Sequence, residues 1–265
     1  MSGARLKAKL AKGEAVYGVF FQYMTNPAVV EILPETGLDF VIVNAEHNAL
    51  DMGDFHGMQF ALQARGIACL VRIHNRDTEE VAKACDGYAD GVVLPYVEEP
   101  EQLKRLVAAA KYRPLKGPAV ERVIAKGEWP SDKTKAYVQE KCANTFFAAM
   151  IESVRAMENL DALCSVPGVD AVFMGPNDLS VSMGIPEERD NPVFIDAMQR
   201  IIDTAARHGI AAGGHFSKMS HAQRMVRQGA RFVPFSSDLR FVQLGLIDSL
   251  ATLRGTKPGG KEAII

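Results

Sequence analysis

Short apolar runs alternate with longer amphipathic stretches along most of the chain. Apolar runs bounded by turn residues are typical of buried strands, and apolar residues at three- to four-residue spacing are typical of helices. The first pattern predicts strands at 16–22, 39–43, 67–73, 91–94, 146–151, 171–174, 210–214 and 232–235. The second predicts helices at 27–33, 52–65, 78–85, 99–111, 156–163, 194–207, 221–228 and 238–253.

This alternation predicts a closed (β/α)8 barrel, or TIM barrel, in a single domain over residues 1–265. Such barrels typically run to about 250 residues. An open doubly wound sheet is the alternative, but it does not require eight regularly spaced units. The alternation lapses at 112–145, which hold three prolines, the only tryptophan and many charges. We expect an irregular excursion with some helix there, serving as a lid or an oligomer contact.

Charge and composition exclude several classes of protein. The net charge of −2 argues against a nucleic-acid partner, since such domains usually carry a strong basic excess. No apolar run approaches the roughly 20 residues needed to span a membrane, and the N-terminal segment lacks the apolar region of a signal peptide. The four cysteines form no CxxC pair and show no zinc-ligand spacing. We therefore expect buried free thiols and a cytoplasmic protein.

Two acidic residues follow neighbouring predicted strands. Glu152 comes directly after the strand at 146–151, and Asp178 follows the strand at 171–174 after a Gly175-Pro176 break. A right-handed crossover would bring both carboxylates to the same end of the sheet. Carboxylate oxygens suit Mg²⁺ or Mn²⁺, so the pair predicts a divalent-cation site. The alternative is that Glu152 merely ends a strand and Asp178 merely caps a helix.

The barrel also places His47 and Arg72 at the same rim as the two carboxylates. Active sites of such barrels lie at the C-terminal ends of the strands, where His47 follows the second strand and Arg72 ends the third. Singly, the histidine could be structural and the arginine could simply pair with a carboxylate. Glu46 is expected to be the exposed neighbour of His47, because alternate strand residues face opposite ways. Together the four residues predict an active site.

Specific motifs resemble the HpcH/HpaI aldolase family of class II pyruvate-dependent aldolases. The segment Gly175 to Ser180, GPNDLS, followed by Ser182-Met183-Gly184, is similar to the strongest signature of the family. Glu46-His47 resembles its acidic-histidine motif, and Val71-Arg72 resembles its strand-three arginine. The order and spacing of these motifs agree from about residue 15 to 255.

The resemblance implies a role for each of these residues. Glu152 and Asp178 would hold a divalent metal (Mg²⁺ or Mn²⁺, with Co²⁺ as a further option) that chelates a 2-oxo acid such as pyruvate and holds its enolate. His47 would accept the methyl proton, with Asp86 raising its basicity, and Arg72 would stabilise the developing oxyanion. The N–H groups around Asn177, Asp178 and Leu179 would receive the substrate carboxylate. No cofactor beyond the metal is implied.

Four departures from the family pattern bear on substrate choice. Asn44 stands where the family often has aspartate, and Met150 stands where a glutamine contacts the substrate. Met150 therefore removes an amide donor and acceptor from the pocket. Tyr88 stands where glycine is common, which bears on the placement of Asp86, and residues 117–124 lack an arginine-glycine step.

Several functions remain open at this point. The first is a metal-dependent aldolase that joins a 2-oxo acid to an aldehyde, or separates them. Oxaloacetate decarboxylation or a citrate-synthase-like condensation would use the same site, and a non-catalytic barrel paralogue belongs to another class. Lys218 could suggest a Schiff-base aldolase, but the carboxylate pair would then have no role.

Assembly is inferred from the resemblance alone. It implies a homo-oligomer, specifically a hexamer, in which the helix at 238–253 packs on a neighbour's barrel. One apolar side of this helix is formed by Phe241, Leu244, Ile247 and Leu250. The alternative is an ordinary eighth helix that packs on its own barrel.

Overall fold

The strands of the computed structural model, which describes residues 2–48 and 52–257, form one closed barrel. They are β1 (Val16–Phe21), β2 (Phe40–Asn44), β3 (Ala68–Arg72), β4 (Gly91–Leu94), β5 (Phe146–Ile151), β6 (Ala171–Met174), β7 (Ala211–Gly214) and β8 (Phe232–Ser237). Each strand pairs in parallel with its sequence neighbours, and β8 pairs with β1 to close the ring. The predicted (β/α)8 barrel is therefore confirmed.

Helices surround this barrel over the described part of the chain. They are α1 (Ser2–Ala11), α2 (Met52–Ala64), α3 (Thr78–Asp86), α4 (Pro100–Lys111), α5 (Gly117–Lys126), α6 (Asp132–Cys142), α7 (Val154–Glu158), α8 (Leu160–Cys164), α9 (Pro176–Ser182), α10 (Pro192–Arg207), α11 (Met219–Gln228) and α12 (Asp238–Leu253). The excursion at 112–145 holds α5 and α6, as its mixed composition predicts. The predicted helix at 27–33 is instead a 3-10 segment, Pro27–Ile32, followed by a second one, Pro34–Thr36.

Aromatic side chains fill the inside of the barrel. The ring of Phe232 lies 4.6 Å from that of Phe40, 5.3 Å from that of Phe146 and 5.5 Å from that of Phe173, measured between centroids. All four side chains are buried. The interior is therefore a packed core and not a pore, as is usual for this architecture.

The first helix, α1, covers the N-terminal end of the barrel. Its Leu6 is buried in the interior cluster that contains Phe232. Asp90, just before β4, accepts hydrogen bonds from the Ser2 hydroxyl and the Gly3 N–H, both at 3.0 Å. The sequence patterns did not predict this helix. It leaves the opposite, C-terminal end of the barrel as the open one.

The composition predicted buried free cysteines and no membrane-spanning segment. Cys69, Cys85, Cys142 and Cys164 are all buried free thiols, as expected. Burial raises the pKa of Cys85 to about 11 and that of Cys164 to about 12. Among the described residues, no helix has the length and apolar character needed to cross a membrane.

Candidate active site

Glu152 lies at the C-terminal end of β5, where the buried strand delivers it into the mouth of the barrel. Its side chain is almost fully buried, and its Oε2 accepts a hydrogen bond of 2.6 Å from the N–H of Tyr96. Burial raises the pKa of the carboxyl from its ordinary 4.5 to about 7, since the charged form is poorly solvated. The Tyr96 hydrogen bond and Arg72 lower this pKa, whereas Asp178 and Glu46 raise it.

The second carboxylate, Asp178, lies in the first turn of the short helix α9 after β6. The chain enters α9 through Gly175, and a Cβ at this position would overlap the Glu152 carboxylate. Glycine is therefore required here because the backbone passes against the glutamate. Asp178 is exposed to the mouth, and its charge raises the pKa of Glu152. The structure thus brings the two predicted carboxylates within electrostatic range of each other.

Arg72, the last residue of β3, is the fixed cation of this rim. Its Nε donates to Asn44 Oδ1 at 2.8 Å, its Nη1 forms an ion pair of 2.8 Å with Glu46 Oε2, and its Cζ lies 5.1 Å from the Phe20 ring centroid. Burial lowers the pKa of the guanidinium. The carboxylates of Glu46, Glu152 and Asp178 raise it, so all three lie within its electrostatic range.

The loop after β2 corrects one expectation about the neighbours Glu46 and His47. Glu46 was expected to be the exposed residue, but its side chain is 22% exposed and turned towards Arg72, whereas that of His47 is 67% exposed. The strand ends at Asn44, so strand alternation no longer applies two residues later. His47 Nε2 lies 3.5 Å from Glu46 Oε2. The histidine is thus open to solvent on the rim that carries Arg72.

Within a single chain Asp86 lies away from His47, so its support of this histidine stays a prediction from the resemblance. Helix α3 runs back along the barrel, so its last residue reaches the N-terminal end. There Asp86 Oδ1 accepts a hydrogen bond of 2.8 Å from Arg113, whose Nη2 donates to Thr145 just before β5. Tyr88 lies at the same end with a φ of 71°, a left-handed conformation that favours glycine.

The α9 segment contains the other predicted substrate contacts. The N–H groups of Asn177 and Asp178 belong to the first turn of the helix, where no intrahelical acceptor exists. Leu179 is a correction, because it is buried and its N–H donates to Gly175 O at 3.0 Å. This N–H is therefore engaged by the helix and is not offered to a ligand.

Met150 and Arg189 each support a neighbouring residue or helix of the rim. Met150 on β5 is buried, with its Sδ 4.0 Å from Arg72 Nη1, so the thioether lies against the guanidinium. Arg189 was not singled out in the sequence. It donates to Asn177 Oδ1 at 2.6 Å and to Ser180 Oγ at 2.7 Å, and so braces α9 from outside.

His215 is a rim residue that the sequence patterns missed. It follows β7, its ring centroid lies 4.4 Å from that of Phe20, and its Nε2 is 3.0 Å from Ser236 O. Burial lowers the pKa of this imidazole to about 4, and Arg72 acts in the same direction. A neutral ring that donates from Nε2 keeps Nδ1 as an acceptor. A histidine one residue beyond a strand was the signal in the sequence.

The donor set of the rim fits a divalent cation completed by ligand oxygens. Three carboxylates face one guanidinium, which leaves negative charge in excess, and the most buried carboxylate, Glu152, has a raised pKa. Hard oxygen donors of this kind suit Mg²⁺ or Mn²⁺. Across residues 2–48 and 52–257, no group of three or more His, Cys, Asp or Glu side chains is arranged to hold a metal. A cation held by Glu152 and Asp178 alone would take its other ligands from substrate and water.

Comparison with known proteins identifies the family of this barrel. The model of the HpcH/HpaI aldolase/citrate lyase family matches residues 18–243, which include the whole rim. The chain belongs to this HpcH/HpaI family. A curated 5-keto-4-deoxy-D-glucarate aldolase from Escherichia coli O139:H28 (strain E24377A / ETEC) is 28% identical over 237 residues, which cover 89% of this chain and 91% of that protein.

Solved structures of this HpcH/HpaI family have the same architecture. An HpcH/HpaI aldolase from Desulfitobacterium hafniense DCB-2 is 30% identical, covers 97% of this chain and 99% of its own, and superposes with a TM-score of 0.82. The citrate synthase SbnG is 25% identical, covers 94% and 97%, and superposes with a TM-score of 0.80. Membership in an aldolase and lyase family makes this chain an enzyme of the lyase type.

Proposed function

We propose that this HpcH/HpaI family member is a divalent-metal-dependent aldolase acting on pyruvate or a close 2-oxo acid. The observation that carries the proposal is the buried Glu152 carboxylate within electrostatic range of both Asp178 and Arg72 at the open end of the barrel. Glu152 and Asp178 would hold the metal. When bound, a divalent cation supplies Lewis-acid polarisation of the keto group.

Other residues of the rim bind the substrate, accept its proton and stabilise the developing charge. The N–H groups of Asn177 and Asp178 receive the substrate carboxylate at the start of α9. His47, exposed at the rim, accepts the proton that leaves the methyl carbon. Arg72 stabilises the negative charge that develops on oxygen, because its guanidinium is held rigidly by Asn44 and Glu46. In the addition direction, the methyl carbon bonds to the aldehyde carbon and a proton returns to the new alkoxide.

Loss of the methyl proton can be tested without knowing the acceptor. The protein is incubated with pyruvate in D₂O, with Mg²⁺ or with EDTA, and the methyl signal is followed by NMR. We expect exchange that EDTA abolishes. Glu152→Ala should lose both exchange and metal binding, whereas His47→Ala should keep metal binding and lose exchange. Exposed Glu99 provides a matched control, and Glu99→Gln should retain both.

The outcomes separate the candidate functions. Full metal-dependent exchange by Glu152→Ala would mean that the metal site is misplaced, and unchanged exchange by His47→Ala would remove this histidine as the base. Formation of CO₂ and singly deuterated pyruvate from oxaloacetate, without exchange of added pyruvate, would favour decarboxylation. Consumption of oxaloacetate by condensation, without release of CO₂, would favour the citrate-synthase activity named for the relative SbnG. No exchange with any 2-oxo acid and no bound metal would indicate a non-catalytic paralogue.

We also propose a homo-oligomer in which α12 packs on the barrel of a second copy, with a hexamer as the expected form. Leu239, Phe241, Leu246 and Leu250 of α12 are all more than 40% exposed in the single chain. A helix with apolar residues on every side is normally buried. Helix α12 begins against its own β8 and β1, and an apolar groove of about 920 Å³, lined in part by Phe241 and Val242, stays open beside it. In the proposed oligomer, α12 of a second copy occupies this groove.

The oligomer is tested from both sides of the contact by sedimentation. Leu246→Asp/Leu250→Asp charges the helix, and Ile32→Asp charges the groove, where this side chain is 65% exposed. Both variants should lower the mass of the particle. Tyr137→Asp on α6 adds the same charge at an exposed apolar position outside the groove and should leave the mass unchanged. A monomeric wild-type protein would overturn the proposal.

A further inference from the structure

The loop between β3 and α3 holds Arg76 in a fixed place at the rim. Asn75, on one side of it, donates from its N–H to Glu80 Oε2 at 3.2 Å. Asp77, on the other side, caps α3 by accepting a hydrogen bond of 2.6 Å from the Glu79 N–H. The backbone at Arg76 is therefore anchored on both sides, which reduces the entropy lost when its side chain binds a ligand.

The guanidinium of Arg76 lies against Tyr96, the residue that also holds Glu152. Its Cζ is 5.8 Å from the Tyr96 ring centroid, and its Nη1 donates to Tyr96 O. Tyr96 N in turn donates to Glu152 Oε2 at 2.6 Å. Arg76 is thus connected to the Glu152 carboxylate through a single residue, Tyr96, which forms one hydrogen bond with each of them.

Tyr96 adopts a backbone conformation that is unusual for a tyrosine. Its φ is 51°, in the left-handed region, and its side chain is 40% exposed. Strained positions of this kind persist only where the surroundings hold them, and they cluster at ligand sites. Here the conformation allows the N–H of Tyr96 to face Glu152 while its carbonyl group faces Arg76.

The charge of Arg76 is not neutralised by a carboxylate in the described part of the chain. No carboxylate within residues 2–48 and 52–257 forms an ion pair with it, whereas exposed Arg65, Arg155 and Arg207 all have carboxylate partners. Arg76 is therefore an exposed cation at the rim, joined to Glu152 through two hydrogen bonds of Tyr96.

We propose that Arg76 is the residue that selects aldehydes carrying a carboxylate group. This inference rests on the proposed aldolase function. With the 2-oxo acid on the metal that Glu152 and Asp178 would hold, the aldehyde would approach from the open side, where Arg76 lies. A guanidinium matches a carboxylate with two parallel hydrogen bonds, which a neutral aldehyde cannot form.

The test compares two acceptors that differ in one group. Rates of addition of pyruvate to 4-oxobutanoate and to butanal are measured for the wild-type protein and for Arg76→Ala. We expect kcat/KM for 4-oxobutanoate to fall about tenfold to a hundredfold, the usual effect of losing a hydrogen bond between charged groups. The value for butanal should change much less. Arg76→Lys should recover part of the lost kcat/KM, because lysine keeps the positive charge but cannot form two parallel hydrogen bonds with a carboxylate.

A control and a donor measurement complete the test. Arg207→Ala removes another exposed arginine, at the end of α10, and should leave both rates unchanged. An equal fall for both aldehydes, or a parallel fall in pyruvate proton exchange, would mean that Arg76 only supports Glu152 and would overturn the proposal. Unchanged selectivity in a protein that exchanges pyruvate protons would overturn this inference alone. Absence of exchange in the wild-type protein would overturn the proposed function with it.

Discussion

Replacement of Glu152 by glutamine should make the metal-free protein more stable while it abolishes metal binding. Glu152 is buried and its pKa is raised from 4.5 to about 7, chiefly by burial. Between these pH values the folded protein holds a proton that the unfolded chain has released. The free energy of unfolding therefore falls as pH rises through this window. The full destabilisation by the buried, charged Glu152 carboxylate is present above pH 7.

The magnitude follows from the two pKa values. At 1.36 kcal/mol for each unit of pKa, the cost of the buried charge approaches about 3 kcal/mol at pH 8 and is below about 1 kcal/mol at pH 5. Glutamine has the same shape and still accepts the Tyr96 N–H, but it never ionises. For a chain of this size, Glu152→Gln should raise Tm at pH 8 by about 6–12 °C.

The assay is thermal unfolding in EDTA at pH 5 and pH 8, repeated at pH 8 with Mg²⁺ or Mn²⁺. Added metal should raise Tm of the wild-type protein, because it binds only the folded state, and should not raise that of Glu152→Gln. Glu99→Gln, an exposed carboxylate paired with Arg155, should change stability by less than about 1 kcal/mol at both pH values. A Glu152→Gln protein no more stable than wild type at pH 8, or a gain independent of pH, would refute the reasoning.

Three further substitutions test the supports of the site. Gly175→Ala should reduce metal affinity at least tenfold by calorimetry, because its methyl group would displace the Glu152 carboxylate. Arg189→Ala should raise KM for pyruvate with a smaller effect on kcat, since it frees Asn177 and loosens α9; unchanged kinetics would exclude this bracing role. Arg72→Lys should keep metal binding and lower kcat about a hundredfold, because an ammonium cannot reproduce the guanidinium contacts. Retention of wild-type kcat would remove Arg72 from oxyanion stabilisation.

Most of the barrel could be predicted because its signal is local. The strands at 91–94, 146–151 and 171–174 are continuous apolar runs, and the structure has the same bounds. Helix α1 could not be found in this way. Its burial depends on Leu6 entering the base of the barrel and on Asp90, a partner far away in sequence, so its short and mostly polar pattern carries little information.

At the rim, the sequence predicted which residues follow each strand but not the directions of their side chains. Residues at strand ends, such as Arg72 and Glu152, lie at the C-terminal end of the barrel as predicted. Side-chain direction beyond a strand end depends on loop geometry, which is why the exposures of Glu46 and His47 were assigned the wrong way round. The position of Asp86 was not predictable, because a resemblance in sequence does not indicate the end of the barrel that a helix terminus reaches.

The packed rings around Phe232 have a kinetic consequence for the proposed reaction. Because they close the barrel below the rim, both reactants must use one entrance. The buried Glu152 lies deep in that entrance and the exposed Arg76 lies near its edge. In the proposed reaction the 2-oxo acid would therefore enter before the aldehyde, and in cleavage the aldehyde would leave first. The 2-oxo acid, released last, would be the product that competes with the substrate for the free enzyme.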